Sequence, residues 1–111
     1  MSAYLFLSGA IIFEVIGALL LPATQKFSKI LPSVILAVSY ILSFYFLTFA
    51  IKKIPLSIVY ASWAGIGVLL IAILSYFFYK QTLSWQAIFG LVLIITGVIL
   101  VNLYKTYLVN P

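Results

Sequence analysis

The chain has 111 residues, of which 67% are hydrophobic and 6% are charged, and its formal net charge is +5. This composition excludes a water-soluble single domain. Cysteine and histidine are absent and only one carboxylate side chain is present, which excludes a disulfide and an ordinary metal site within one chain. We therefore predict an all-α membrane protein that forms a single domain over residues 1–111, with its apolar surface covered by lipid or by further copies of the chain.

Four apolar runs are each long enough to cross a bilayer, which requires roughly 20 residues of helix. They cover residues 3–21, 31–51, 56–79 and 83–104, and proline, lysine or polar residues separate them. A secretory signal peptide is the alternative for the first run, but no basic side chain precedes the run and a glutamate lies within it. The loops are too short for a nucleotide-binding domain or a glycine-rich phosphate loop. We therefore predict neither an ATP-driven pump nor an enzyme, and no cofactor.

The first run contains Glu14, the only acidic residue of the chain. An ionisable group inside a membrane helix costs several kcal/mol and by default indicates a functional site. Helical spacing places small residues on the same stripe as Glu14, and they permit either a close helix contact or space for a substrate beside the charge. We favour the substrate site. The stripe residues that we assign to the substrate pocket are Tyr4, Ala10, Ile11, Gly17 and Ala18.

Aromatic residues of the second and third runs extend this predicted pocket. Tyr40, Tyr60 and Trp63 lie inside their segments, where each ring face would attract an organic cation by about 0.5–2 kcal/mol. Ser43 and Phe44 follow Tyr40 at helical spacing and join the pocket, and a tyrosine hydroxyl would also hydrogen-bond Glu14. Aromatic residues at segment ends usually form an interface belt. We assign that role to Tyr76, Tyr79, Trp85, Tyr104, Tyr107 and, besides its place on the stripe, Tyr4.

The third and fourth runs each contain a pair of glycines. Gly65 and Gly67 either pack against a neighbouring helix or let the third helix bend. Gly90 and Gly97 share one face of the fourth helix, which has no ionisable residue in its core. We predict that this second pair forms a dimerisation seam.

The lysines are divided equally between the two sides of the membrane that the four spans define. The positive-inside rule, which orients membrane proteins by lysine and arginine asymmetry, therefore has little to act on. We hypothesise that the chain inserts in both orientations and pairs with a second copy as an antiparallel, dual-topology homodimer; the alternative is one orientation fixed by the insertion machinery or by lipids. Because the lysines lie at helix ends, they are interpreted as headgroup anchors, and no nucleic acid partner is predicted. One side has Lys26, Lys29 and Lys80, and the other has Lys52, Lys53 and Lys105.

Several motifs together resemble the small multidrug resistance transporters. They are Glu14 followed by Val15-Ile16-Gly17, Phe27-Ser28 in the first loop, the run IPLSIVYASWAGIG at residues 54–67, and Gly90 with Gly97. The resemblance covers essentially the whole chain and is most specific in the run 54–67. It implies proton-coupled antiport of hydrophobic cations by an antiparallel homodimer in the inner, cytoplasmic membrane of a prokaryote, with proton and cation competing for Glu14. It also favours a hinge at Gly65 and Gly67, because alternating access requires a compliant element.

The branch of the family is indicated by the residue at position 17. Gly17 resembles the multidrug and quaternary ammonium branch, whereas guanidinium exporters tend to carry a tryptophan there. Two alternatives stay open: a narrow-specificity guanidinium or polyamine exporter, and a non-transporting partner subunit of a heterodimeric exporter. The chain departs from the family at the end of the first helix, where Pro22 replaces the usual lysine, and in the first loop, where Lys26-Phe27 replaces a Gly-Phe pair.

Overall fold

The structure, a computed structural model, describes residues 2–105, and Tyr107 lies outside the described residues. Its helices are α1 (Ser2–Leu20), α2 (Ile30–Ala50), α3 (Leu56–Tyr79) and α4 (Trp85–Leu103), and a 3-10 turn, Pro22–Thr24, follows α1. Each of the four is long and apolar enough to span a membrane. Within residues 2–105 no strand is formed. The prediction of an all-α protein with four transmembrane helices is confirmed, with helix ends that differ from the predicted ones by at most two residues.

The ends of α3 and α4 show which local interactions set these boundaries. Lys80 adopts the left-handed conformation, with φ 56°, directly after the last residue of α3. Ser84 is the N-cap of α4, and its hydroxyl accepts a hydrogen bond of 3.2 Å from the backbone N–H of Ala87. Such a cap satisfies one of the unpaired N–H groups of the first turn. Leu83 therefore precedes the helix although it is apolar, which is why the predicted start at residue 83 was two residues early.

The first loop has an unusual backbone. Gln25, Lys26 and Phe27 have φ angles of 48°, 64° and 64°, in the left-handed region. Thr24, which is buried, holds the turn: its hydroxyl donates to Leu21 O at 2.8 Å and accepts from Phe27 N at 3.2 Å. A left-handed conformation costs a residue with a Cβ roughly 1–2 kcal/mol. Lys26 thus occupies a backbone position that would suit the glycine expected from the family pattern.

The core of the fold lies where α1 packs against both α2 and α3. α4 packs mainly against α3, and Val98 is its only buried residue. Within the described part of the chain, most residues of α4 are therefore exposed. The cluster of buried side chains at the core consists of Ala3, Leu7, Ile11, Val15, Ala50, Ile54 and Val59.

Candidate functional site

Glu14 lies half-buried in the middle of α1, where two other helices approach its carboxylate. The hydroxyl of Tyr40 on α2 donates to Oε2 at 3.4 Å. On α3, a Cβ added to Gly67 would lie 2.9 Å from Oε1. The structure thus brings together the predicted carboxylate and one predicted tyrosine, and it adds a glycine whose missing side chain makes space for the carboxylate.

Three residues near Glu14 pack at the contact between α1 and α2. Ala10 is completely buried, and its carbonyl accepts a hydrogen bond of 2.7 Å from the buried hydroxyl of Ser43. A Cβ on Gly17 would lie 3.0 Å from the ring of Tyr40. Ala10 and Gly17 therefore permit a close contact between α1 and α2. Of the two roles expected for these small residues, helix contact and space for a substrate, the structure shows the helix contact. Ile11 belongs to the core, and Ala18 is half-buried.

The predicted aromatic residues Phe44, Tyr60 and Trp63 form one wall. The ring centroid of Trp63 lies 5.7 Å from that of Phe44 and 5.6 Å from that of Tyr60. All three line a crevice of about 480 Å³ between α2 and α3, together with Leu47, Thr48, Ile51, Leu56 and Val59. Volumes of about 300–1,000 Å³ are typical of small-molecule sites. Tyr60 and Phe44 are more than half exposed, so their rings are accessible from outside the helix bundle.

Trp63 also has an unmet hydrogen-bonding group. Its indole Nε1 is buried and has no hydrogen-bond partner among residues 2–105. Buried donors are normally paired, and an unpaired one requires an explanation. Within residues 2–105 the structure supplies no acceptor for this donor.

Tyr4 is not brought to Glu14. The two residues are ten positions apart on α1, which separates them by about 15 Å along the helix axis. The hydroxyl of Tyr4 instead donates to Oδ1 of Asn102 in the last turn of α4, at 2.8 Å. The Nδ2 of Asn102 donates to the buried hydroxyl of Ser62 at 2.7 Å and to Val98 O at 2.9 Å. The sequence analysis did not predict this role for Asn102 or Ser62. The only indication in the sequence was that each is a polar residue inside an apolar run.

The two glycine pairs differ in their surroundings. A Cβ on Gly65 would lie 2.6 Å from Cγ2 of Val98, so α4 packs closely against α3 at Gly65. α3 is unbroken from Leu56 to Tyr79, and the hinge at Gly65 and Gly67 stays a prediction. Gly90 and Gly97 have no atom within 4 Å of an added Cβ among the described residues. The predicted dimerisation seam is untested by a single chain.

Comparison with known proteins identifies the family. The model of the family described as Small Multidrug Resistance protein matches residues 2–94. The chain belongs to the small multidrug resistance family. The resemblance predicted from the Glu14 motif and the run 54–67 is confirmed. Membership and the four spanning helices also confirm that this small multidrug resistance protein is a multi-pass protein of the cytoplasmic membrane.

Relatives within the family are similar over nearly their whole length. The chain is 42% identical over 103 residues to the multidrug transporter EmrE of Escherichia coli (strain K12), and 41% identical over 103 residues to the quaternary ammonium compound-resistance protein QacF of Klebsiella aerogenes. Each match covers 93% of this chain and 94% of the relative. The quaternary ammonium compound-resistance protein QacC of Staphylococcus aureus is 39% identical over 93% of this chain and 96% of its own. These relatives are named as a transporter or resistance proteins and not as enzymes, in agreement with the prediction.

Proposed function

We propose that this small multidrug resistance protein is a proton-coupled antiporter that exports hydrophobic and quaternary ammonium cations across the cytoplasmic membrane. The observation that carries the proposal is the position of Glu14, the only acidic residue, half-buried in a membrane helix beside Tyr40 and Gly67. Intramembrane ionisable residues mark ion and substrate pathways. The relatives named as a multidrug transporter and as quaternary ammonium compound-resistance proteins support the same class of substrate.

Proton and cation exclude each other because they use one carboxylate. An ionised Glu14 attracts an organic cation, and a proton on Glu14 removes that attraction. The two occupants are therefore bound alternately. Antiport further requires that the proton-loaded and cation-loaded forms interconvert rapidly between the inward-open and outward-open states, and that the empty, charged form does so slowly.

The aromatic crevice supplies the tolerance for different cations. The rings of Phe44, Tyr60 and Trp63 line the crevice. Ring faces attract a delocalised or quaternary cation without directional bonds. Phe44 and Trp63 lie about one helical turn from Tyr40 and Gly67, the two residues that contact Glu14. An organic cation would thus be held by ring faces in the crevice and attracted by the charge of Glu14 nearby, so that its exact substituents matter little.

We further propose that the working unit is an antiparallel homodimer of dual topology. A groove of about 510 Å³ separates α3 from α4, and the residues that line it, such as Leu69, Ile88 and Leu91, are almost all apolar. Gly90 and Gly97 leave one face of α4 without side-chain bulk, which permits close approach of another helix.

Equal numbers of lysines on the two sides support insertion in both orientations. A second copy would then place two Glu14 carboxylates in one site, where they would titrate as a coupled pair.

Proteoliposomes with a pH gradient test the transport proposal. Wild-type protein is expected to export tetraphenylphosphonium with counterflow of protons, and Glu14→Gln is expected to abolish both. Glu14→Asp is the matched variant, because it keeps the charge and is expected to keep coupled transport with a shifted pH profile. Cation-driven proton flux that survives in Glu14→Gln would contradict the single-site mechanism. A parallel assay with guanidinium separates the multidrug exporter from the narrow-specificity alternative.

The pH dependence of binding has a definite sign. Lowering the pH protonates Glu14 and raises the Kd of tetraphenylphosphonium, and raising the pH lowers the Kd until the carboxylates are fully ionised. While they titrate, the Kd is expected to change by up to about tenfold per pH unit for each proton released. A Kd that is constant from pH 5 to pH 9 in the wild type would exclude competition at Glu14.

Reporter fusions test the dual topology. A reporter placed at the C-terminus is expected to give signal from both sides of the membrane. Signal from one side only would exclude dual insertion and leave the transport proposal intact.

A further inference from the structure

The contact between α3 and α4 is short and contains one polar bond. Nδ2 of Asn102 on α4 donates to the hydroxyl of Ser62 on α3 at 2.7 Å, and Ser62 is buried. About one turn away, Cγ2 of Val98 would lie 2.6 Å from a Cβ on Gly65. Within residues 2–105 no other side-chain hydrogen bond joins these two helices. In the described part of this contact, the Ser62–Asn102 bond therefore supplies the directional interaction and the remaining contact is apolar packing.

The carboxamide of Asn102 is bonded at both ends. The hydroxyl of Tyr4 on α1 donates to Oδ1 at 2.8 Å, which leaves Nδ2, the donor end, directed at Ser62. Nδ2 also donates to Val98 O at 2.9 Å in its own helix. A carboxamide with partners at both ends has a fixed orientation. Its bond to Ser62 therefore holds α3 at one rotation about the helix axis.

Ser62 directly precedes Trp63, which belongs to the aromatic wall. Consecutive helix residues point about 100° apart, so Ser62 faces α4 while Trp63 faces Phe44 of α2, with the ring centroids 5.7 Å apart. Gly67 points about 40° from Trp63 and lies against the carboxylate of Glu14. A rotation of α3 by about 20° would move a side chain at the helix surface by roughly 2 Å. The rotation that the Ser62 bond holds is thus the one that sets the position of Trp63 relative to the carboxylate.

We propose that Ser62 and Asn102 are positioning residues of the cation site, because their hydrogen bond holds α3 in the rotation in which the wall of Phe44, Tyr60 and Trp63 is complete. The inference rests on the proposed export of organic cations. Without the bond, α3 samples further rotations, and only a fraction of the molecules presents the complete wall. The apparent Kd of a ligand rises in inverse proportion to that fraction. In this way α4, which contributes no residue to the lining of the crevice, acts on cation binding through α3.

The first test measures the Kd of tetraphenylphosphonium for the full-length protein in lipid bicelles at one pH. Ser62→Ala removes the acceptor and is expected to raise the Kd about two- to tenfold, within the range that one hydrogen bond between membrane helices can supply. Ser8→Ala is the matched control, because the hydroxyl of Ser8 donates to Tyr4 O at 2.8 Å in its own helix, and it is expected to leave the Kd unchanged. Equal Kd values for the two variants would overturn the proposal.

Asn102→Leu removes the same bond from the α4 side. It is expected to raise the Kd at least as much as Ser62→Ala does. Adding Ser62→Ala to Asn102→Leu is expected to have no further effect on the Kd, since the bond is already absent. An undiminished effect of Ser62→Ala in this background would assign the change to the serine alone and overturn the positioning role of the bond.

The indole N–H of Trp63 reports the position of α3 directly. The chain has two tryptophans, and Trp85→Phe leaves Trp63 as the only one. In this background the indole N–H resonance in NMR spectra is expected to shift or broaden with Ser62→Ala and to stay unchanged with Ser8→Ala. A higher Kd without a change at the indole would overturn the proposal. Wild-type binding that does not depend on Glu14 would instead contradict the proposed function, so the Glu14→Gln protein distinguishes the two failures.

Discussion

Gly67 of α3 lies directly against the carboxylate of Glu14 on α1: a Cβ at position 67 would be 2.9 Å from Oε1. Real Cβ atoms essentially never approach another heavy atom that closely, so any larger residue at 67 must displace the carboxylate. The glycine has thus a role at the site that is separate from any bending of α3.

Gly67→Ala is expected to weaken cation binding more than it weakens the fold. The glutamate can move away by changing rotamer, which costs about 0.5–1.5 kcal/mol and corresponds to a rise of about two- to twelvefold in the Kd of tetraphenylphosphonium. Gly9→Ala is the matched control, because its Cβ would meet the Phe46 ring at 2.7 Å, and Phe46 packs with Phe6 and Phe13 outside the carboxylate site. Gly9→Ala is expected to reduce stability and to leave the Kd of the folded protein unchanged. An unchanged Kd in Gly67→Ala would show that the contact between Gly67 and the Glu14 carboxylate does not affect cation binding.

The hydroxyl of Tyr40 supports the ionised form of Glu14, since it donates to Oε2. Tyr40→Phe removes this donor and keeps the ring that packs beside Gly17. Because the bond is long at 3.4 Å, we expect a modest change, a rise of about two- to fivefold in the Kd at neutral pH. Tyr45→Phe, on the same helix with its ring packed against Phe49, is the control and is expected to have no effect. Equal effects of the two substitutions would show that the Tyr40 hydroxyl does not act on Glu14.

The four helices could be predicted from the sequence because each is an apolar run bounded by proline, lysine or a polar residue. A tyrosine hydroxyl beside Glu14 was predicted too, from the tyrosines that lie inside the second and third apolar runs. The contacts with α3 and α4 could not be predicted in the same way. Helical spacing defines the faces of one helix, but it does not say which face of a distant helix lies opposite. Gly67 was therefore assigned only to bending or packing, and Asn102, 98 residues from its partner Tyr4, was missed.

The left-handed backbone of the first loop predicts that a substitution towards the family pattern is stabilising. Lys26→Gly removes the Cβ at a φ of 64°, and after allowance for the greater flexibility of glycine in the unfolded chain we expect a gain of roughly 0.5–1 kcal/mol in the free energy of unfolding. Lys29→Gly, in the same loop and with the same loss of charge, lies at an ordinary φ of −92° and is expected to be neutral or destabilising. Unfolding in mixed detergent micelles measures both. Stabilisation by both variants would point to charge and not to the backbone.

Asn102 joins three helices through one carboxamide, and its removal leaves the hydroxyls of Tyr4 and Ser62 without this partner. Side-chain hydrogen bonds between membrane helices contribute about 0.6–1.7 kcal/mol, so Asn102→Leu is expected to lower the free energy of unfolding by about that amount or somewhat more. Ser62 is buried, and Ser62→Ala should cost less in the Asn102→Leu background than in the wild type, since its hydroxyl has already lost this partner. Thr96→Val is the control: among the described residues, the Thr96 hydroxyl donates only to Val92 O in its own helix, and a loss below about 0.5 kcal/mol is expected. Strict additivity of Asn102→Leu and Ser62→Ala in a double-mutant cycle would show that the carboxamide does not join α3 to α4.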